Sequence, residues 1–312
     1  MTIDNLTVMP DESVEVETKK RKKSRRARIW ELDALRGIAI LLVCWDHFMF
    51  DAFGLFGTHF TTCGVEWLAD FVTFAREYWT SELRMFWWPI FLFIFFSVSG
   101  ICTAFSRNNL LRAVKLGAVA LLMTLVTYLV EVVAGMSGVF ISWGVVHAFA
   151  TIMFFYAFLE LAVGLILKAM KKERMLRPMM SLVSLVVLNV LIILNDKFGV
   201  TMSEIIRGTA SSPLTAEGAA WLFYMPNSEF RKITADYFPI FPYIIPFFIG
   251  AALSYVLYPK KSSLLPRLDG KWHYPLTVPG RVSIFLYIFV QIGAIIILGL
   301  VSLIVTGEIG LF

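Results

Sequence analysis

The sequence is poor in charged residues and in cysteine. Only 16% of its 312 residues are charged, whereas 58% are hydrophobic, and the mean hydropathy is +0.73. Because a soluble domain is typically about 25% charged and about 45–50% apolar, the composition excludes an ordinary soluble globular protein. The 28 phenylalanines exclude disorder for most of the chain. The three cysteines, Cys44, Cys63 and Cys102, give no disulfide framework, and we expect no metal site.

The sequence also lacks the short motifs of several enzyme classes. It contains no Walker sequence, no G-x-S-x-G, no H-E-x-x-H and no C-x-x-C pair. NTPase, dinucleotide-binding and zinc-protease functions therefore have no support. The net charge of +5 lies mostly in the N-terminal region and in the loops between apolar segments. Membrane topology explains that placement better than nucleic-acid binding does.

Residues 1–28 differ in composition from the rest of the chain. They begin acidic and end in a basic run, residues 19–28, in which eight of ten side chains are Lys or Arg. Such charge blocks are disordered and bind anionic surfaces. We predict a disordered cytoplasmic tail that contacts anionic lipid, followed by a multi-pass membrane domain over residues 29–312.

Seven apolar segments are long enough to cross a bilayer, which needs about 20 apolar residues per helix. The fold class predicted is therefore all-α, a polytopic membrane protein with about seven transmembrane helices. The sixth segment carries Pro239, Pro242 and Pro246, so it must bend or start irregularly. The short segment 67–75 is expected at the membrane interface. The predicted spans are 36–56, 86–105, 116–135, 144–167, 179–195, 237–258 and 282–305.

The distribution of basic residues predicts the orientation. With the N-terminus inside, the inner regions hold 22 of the 28 Lys and Arg residues. The positive-inside rule therefore places the N-terminus in the cytoplasm and the C-terminus outside, in the plasma membrane. The outer loops 57–85 and 196–236 are the natural places for a substrate entrance.

Ionisable side chains inside the spans are the candidate functional residues, because burying them in lipid is costly. His47 and Asp51 are four residues apart on the first span and share a helix face, while Asp46 points about 100° away from His47. With Arg36 at the inner boundary, His47 lies roughly 16 Å deep, near the middle of the bilayer. The pair suits a general base with an orienting carboxylate. The alternative is a polar pair that only holds helices together.

Further candidates lie nearer the two membrane surfaces. His147 starts the fourth span at about the depth of Asp51, and His59 follows the first span in an outer loop. At the inner end of the second span, Arg107, Asn108 and Arg112 could bind phosphate. The alternative there is a tight basic turn that only obeys the positive-inside rule.

Four sequence blocks resemble the heparan-α-glucosaminide N-acetyltransferase catalytic-domain family, in its compact bacterial-type branch. They cover about residues 29–258. The opening block combines E-x-D-x-x-R-G-x-A with H-F-x-F-D, and the last contains D-Y-F-P-x-x-P. The blocks are RIWELDALRGIAILLVCWDHFMFD, SGICTAFSRNNLLRAVKL, WGVVHAFATIMFF and ADYFPIFPYIIPFFIGAALSYVLY.

The resemblance implies an enzyme that takes acetyl from cytosolic acetyl-CoA and delivers it to an amino sugar or other glycan on the outer face. A catalytic Asn of the family aligns with His47, and a catalytic His aligns near Thr58, so His59 matches after a one-residue gap. We therefore expect His47 or His59 to act as the base, Asp51 to orient it and His147 to stabilise the oxyanion. The residues expected to hold CoA phosphates are Arg36, Arg107, Asn108 and Arg112.

Two other functions compete with this prediction. In a proton-coupled transporter or permease, the His47–Asp51 pair would form a proton relay. In a structural membrane partner, the pair would carry no chemistry. The predicted partners are membrane lipid and a glycan acceptor, without nucleic acid, and the sequence leaves open whether the chain forms a homo-oligomer.

Overall fold

The structure, a computed structural model, describes residues 29–134, 139–197 and 236–310. The predicted N-terminal tail and most of the predicted outer loop 196–236 lie outside these ranges. The described part is helical throughout and contains no strand, with one isolated bridge between Trp143 and Tyr237. The prediction of an all-α fold is confirmed.

Ten α-helices and several short 3-10 turns make up the described chain. One 3-10 turn, Cys102–Phe105, extends α4, and another, Glu173–Met175, precedes α7. The helices are α1 (Trp30–Gly54), α2 (Gly57–Thr62), α3 (Glu66–Thr80), α4 (Glu82–Ile101), α5 (Asn109–Ala134), α6 (Val145–Ala169), α7 (Leu176–Lys197), α8 (Ile244–Leu257), α9 (Tyr274–Arg281) and α10 (Ser283–Thr306).

Six of these helical segments are long and apolar enough to cross a membrane, and they coincide with six of the predicted spans. The remaining predicted span is α8, which has 14 residues. It is shorter than predicted because the proline-rich stretch 236–243 is not a regular helix, as its composition indicated. The segment 67–75 belongs to α3, which is amphipathic and is not among the candidate spans.

Helix directions support seven crossings. Two contacts show that α10 runs parallel to α1. The rings of His47 and Tyr287 lie 6.4 Å apart, and Asp51, four residues after His47, is hydrogen-bonded to Gln291, four residues after Tyr287. Successive crossings alternate in direction, so a parallel first and last span requires an odd number. Among the described helices, the short helix α8, together with the irregular stretch before it, is the candidate for the seventh crossing.

The packing of α8 agrees with this count. It runs parallel to α4, and the two backbones touch at Gly100 and Gly250. A side chain at Gly100 would overlap the carbonyl of Phe247, and one at Gly250 would overlap the carbonyl of Ser97. Such close approach is typical of small residues between membrane helices.

The alternation defines two ends of the bundle. One end of the bundle, which we call the basic end, is where α1, α5, α7 and α10 begin and where α4, α6 and α8 end. We call the opposite end the far end. The basic end holds the three short loops that the charge count predicted to face the cytoplasm, residues 106–115, 168–177 and 259–281.

The outer surface of the bundle is apolar. Leu121 is 70% exposed, Val133 80% and Ile304 81%. Exposed apolar side chains of this size over whole helices are incompatible with water and match contact with lipid. The chain is a multi-pass membrane protein.

Candidate functional site

His47 lies in the second half of α1 and faces α10. Its ring meets the ring of Tyr287 edge to face at 6.4 Å between centroids. Within the described ranges His47 makes no hydrogen bond. The imidazole is half-buried and keeps both ring nitrogens free for a proton or a substrate.

Asp51, one turn further along α1, is fully buried. Its Oδ1 accepts a hydrogen bond from Gln291 Nε2 of α10, and its Oδ2 is buried without a partner among the described residues. No hydrogen bond joins Asp51 to His47 here. The two side chains predicted as a pair thus line the same interface with α10, with Asp51 held by Gln291.

Asp236 completes this site from a distant part of the chain. Its Oδ2 accepts hydrogen bonds from the Tyr287 hydroxyl at 3.1 Å and from the backbone N–H of Val145 at 3.2 Å. A methyl group at Gly144, the residue just before α6, would overlap this carboxylate, so a side chain there would displace Asp236. The sequence analysis did not single out Asp236 or Tyr287, although Asp236 opens the D-Y-F-P block.

His147 lies at the start of α6 and is buried. Its Nδ1 accepts the N–H of Gly144 at 3.2 Å, and its Nε2 lies 2.8 Å from the hydroxyl of Thr124, which itself donates to the carbonyl of Ile141 at 2.9 Å. Nδ1 therefore carries no proton, and Nε2 donates to Thr124. Both ring nitrogens are used to hold the start of α6, so this arrangement leaves no ring N–H for an oxyanion.

His59 lies at the far end of the bundle, on α2. Its Nε2 is 3.2 Å from Thr306 Oγ1, and a side chain at Gly310 would overlap its ring. Thr306 follows Tyr287 by 19 residues on α10, which corresponds to roughly 28 Å along the helix. His47 and His59 therefore cannot contact the same acetyl group.

Asp46 points away from His47, as predicted, and its partner is a cation that the sequence analysis did not assign. Arg84 of α4 donates from Nε and Nη2 to the two carboxylate oxygens at 2.6 and 2.9 Å. The Tyr78 hydroxyl also donates to Asp46, and burial followed by the Asp46 charge raises the pKa of Tyr78. The Arg84 guanidinium stacks 3.6 Å from the ring centre of Trp79. These contacts connect α1, α3 and α4.

Two arginines meet at the basic end. Arg36 Nη2 donates to Cys102 Sγ at 3.0 Å, and its Nε is buried without a hydrogen-bond partner among the described residues. Arg112 of α5 lies near Arg36 and Cys102, and its guanidinium forms no hydrogen bond within the described ranges. The carboxylate of Asp33 lies 4.0 Å from Arg36 Nη1. Two guanidinium groups with unused donors fit a phosphate.

The other two residues predicted to bind CoA have different surroundings. Asn108 Oδ1 accepts the N–H of Leu111 at 2.8 Å and so caps α5. Arg107 is exposed and lines a cavity of about 160 Å³ on the other side of the 3-10 turn, between the ends of α4, α6, α7 and α8. The four predicted residues thus divide between an arginine pair, a helix cap and a separate cavity.

The fold and these clusters define a class: a multi-pass, all-α membrane protein with an ionisable site inside the bundle and arginines at one end. The sequence profile of the heparan-alpha-glucosaminide N-acetyltransferase catalytic family matches residues 28–292. The chain belongs to this family, and membership implies an acyl- or acetyltransferase. No curated protein and no solved structure matches the chain.

Proposed function

We propose that the chain transfers an acetyl group from acetyl-CoA, bound at the basic end, to an amine or hydroxyl of a glycan that reaches His47 from the far end. The observation that carries this proposal is the placement of Arg36 and His47 on one face of α1. They are eleven residues apart, which corresponds to three helical turns plus about 20°, so both side chains leave the helix in nearly the same direction. The rise between them along the helix is roughly 16 Å.

That spacing suits the donor. The pantetheine arm joins the pyrophosphate of CoA to its thioester sulfur by about twelve chain bonds, and an extended chain covers about 3.5 Å for every three bonds. The arm therefore reaches roughly 14 Å. Phosphates held by Arg36 and Arg112 would leave the thioester close to His47. We assign the phosphate contact to this arginine pair because Asn108 serves as a helix cap and Arg107 lines another cavity.

His47 is the proposed general base. It accepts the proton of the acceptor amine or hydroxyl while the nitrogen or oxygen bonds to the carbonyl carbon of the thioester. The carbon–sulfur bond then breaks, and the imidazolium returns its proton to the departing thiolate. The buried carboxylate of Asp51, one turn away, stabilises the imidazolium through its charge. Tyr287, held by Asp236, borders the ring of His47 and limits its rotation.

The sidedness of the reaction follows from the proposed orientation. If the basic end faces the cytoplasm, CoA binds from inside and the glycan arrives from outside. Reporters fused after Lys172 and after Phe312 should then respond on opposite sides of the plasma membrane. Finding both on one side would contradict the seven-span topology.

The activity can be tested with the purified full chain in liposomes. Acetyl-CoA carrying a labelled acetyl group is added with a panel of amino sugars and hydroxyl-bearing glycans, and mass spectrometry follows the label and released CoA. We expect a labelled acceptor together with an equal amount of CoA. Binding of acetyl-CoA with no labelled product from any member of the panel, and no change in the acetylation of cell-surface glycans in a deletion strain, would contradict the proposal.

A further inference from the structure

The cavity beside Arg107 contains opposite charges that do not pair with each other. Glu160 of α6 lies within it, and Arg107 lies on its wall. In the described part of the chain neither side chain has an ion-pair partner within 4.0 Å. Glu160 Oε2 accepts a hydrogen bond from an uncharged group, the amide Nδ2 of Asn109, at 2.9 Å. An unpaired carboxylate and an unpaired guanidinium in one cavity fit a ligand that carries both a cation and an anion.

The remaining polar groups favour a primary ammonium at the carboxylate. Besides Glu160, the hydroxyl-bearing residues Thr103, Ser106 and Ser254 line the cavity and offer acceptor oxygens. An ammonium group has three N–H donors, so it can donate to Glu160 and to further acceptors nearby. A quaternary ammonium has none and could not form these bonds. Two further cations line the wall. Arg177 is already engaged with the carbonyls of Tyr258 and Pro259 at 3.0 and 3.2 Å, and Lys261 also has an interaction partner.

The size of the cavity limits the ligand. A cavity of roughly 150 Å³ holds one molecule as large as benzene, and this one measures about 160 Å³. A phosphoethanolamine group is of that order, whereas a nucleotide is several times larger. The acetyl-CoA of the proposed reaction therefore does not fit here as a whole.

The surroundings of the cavity are lipid-facing. Leu161 directly follows Glu160 and is 51% exposed, and Tyr255 directly follows the lining residue Ser254 and is 36% exposed. Within membrane-spanning helices, exposed apolar side chains contact acyl chains. A headgroup in the cavity could therefore stay attached to chains that lie along α6 and α8.

We propose that this cavity binds the headgroup of an aminophospholipid of the phosphatidylethanolamine type, with the ammonium at Glu160 and the phosphate at Arg107. The assignment does not depend on the acetyl-transfer reaction. It can be tested by native mass spectrometry of the full chain in detergent, with added phosphatidylethanolamine, phosphatidylcholine and phosphatidylglycerol of identical acyl chains. Wild-type protein should retain phosphatidylethanolamine in preference to the other two.

Two substitutions test the contributions of the Glu160 and Arg107 charges separately. Glu160→Gln keeps an oxygen for Asn109, so the fold is retained, and the preference for phosphatidylethanolamine over phosphatidylcholine should fall on the order of tenfold, as expected for loss of a charge-assisted hydrogen bond. Arg107→Gln should weaken retention of all three lipids. The matched controls Glu173→Gln and Arg174→Gln change exposed charges at the same end and should alter neither.

Three results would overturn the assignment. The first is an unchanged lipid preference in folded Glu160→Gln protein. The second is displacement of phosphatidylethanolamine by acetyl-CoA, which would make the cavity part of the CoA site. The third is binding of free O-phosphoethanolamine as tightly as the lipid, which would show that the membrane is not the source of the ligand.

Discussion

The role of His47 gives the sharpest test of the proposed reaction. His47→Ala removes the proposed base, and general-base catalysis typically contributes about 10²–10⁴-fold in rate. That corresponds to about 2.7–5.4 kcal/mol of activation free energy. The cost in folding stability should be small, since His47 makes no hydrogen bond within the described ranges and its one ring contact, with Tyr287, is worth about 0.5–1.5 kcal/mol.

The assay is acetyl transfer normalised to folded protein in detergent, with acetyl-CoA binding measured separately. We expect kcat to fall at least a hundredfold while acetyl-CoA still binds, because the proposed phosphate contacts lie roughly 16 Å away along α1. Asp51→Asn should lose less activity, since the imidazole remains in place. His59→Ala is the matched control: it also removes an imidazole, but at the far end beside Thr306.

A folded His47→Ala enzyme with near-normal turnover would refute the assignment of the base. The distance between the two histidines makes the outcome unambiguous, since they cannot share one acetyl group. If His47→Ala lowers thermal stability and leaves activity per folded molecule unchanged, the residue is structural. His59→Ala should in that case be the inactive variant.

Three further variants test the arginine pair and the helix packing. Replacing Arg36 and Arg112 together with Gln should raise KM for acetyl-CoA more than tenfold, because each charge-assisted contact contributes about 1.5–3 kcal/mol; unchanged kinetics in folded protein would contradict the assignment. Arg84→Gln leaves its carboxylate partner without a cation and should cost about 3–5 kcal/mol, visible as a lower Tm in detergent, and an unchanged Tm would argue against a structural role. Gly250→Ala should cost about 1–3 kcal/mol by separating α4 from α8. Its control, Gly293→Ala, meets no atom within 4 Å, so equal Tm values for the two would disprove the close packing.

The spans could be predicted from the sequence because lipid imposes a local rule. A helix that crosses a bilayer must be apolar along its length, and this requirement is visible in any window of about 20 residues. The irregular start of the sixth span could also be predicted from neighbouring residues alone, since three prolines within eight residues cannot continue a helix. The length of α8 could not be predicted, because it depends on partners from other helices. The carbonyl of Pro246, for example, accepts the hydroxyl of Ser97 on α4.

The partners of the buried charges could not be predicted, because they come from distant parts of the chain. No sequence feature near Asp46 indicates that Arg84 is its partner. Asp51 likewise pairs with Gln291, which belongs to the last span. Tyr287 lies in an otherwise apolar run and looks like an ordinary membrane-facing aromatic residue. The depth of His47 is a prediction from helix geometry alone and stays a prediction. That both ring nitrogens of His147 are engaged could be seen only from the position of Thr124.

The site also depends on the order in which the chain assembles. α1 carries His47 and the fully buried Asp51, yet Gln291, the hydrogen-bond donor to Asp51 Oδ1, lies on α10, the last span. Until α10 packs against α1, this carboxylate faces lipid or water, and a lone carboxylate in a membrane is costly. The parallel contact of the first and last spans therefore closes the bundle and creates the site in one step. A chain that lacked α10 would lose Tyr287 beside His47 as well, so stability and activity should fail together in such a truncation.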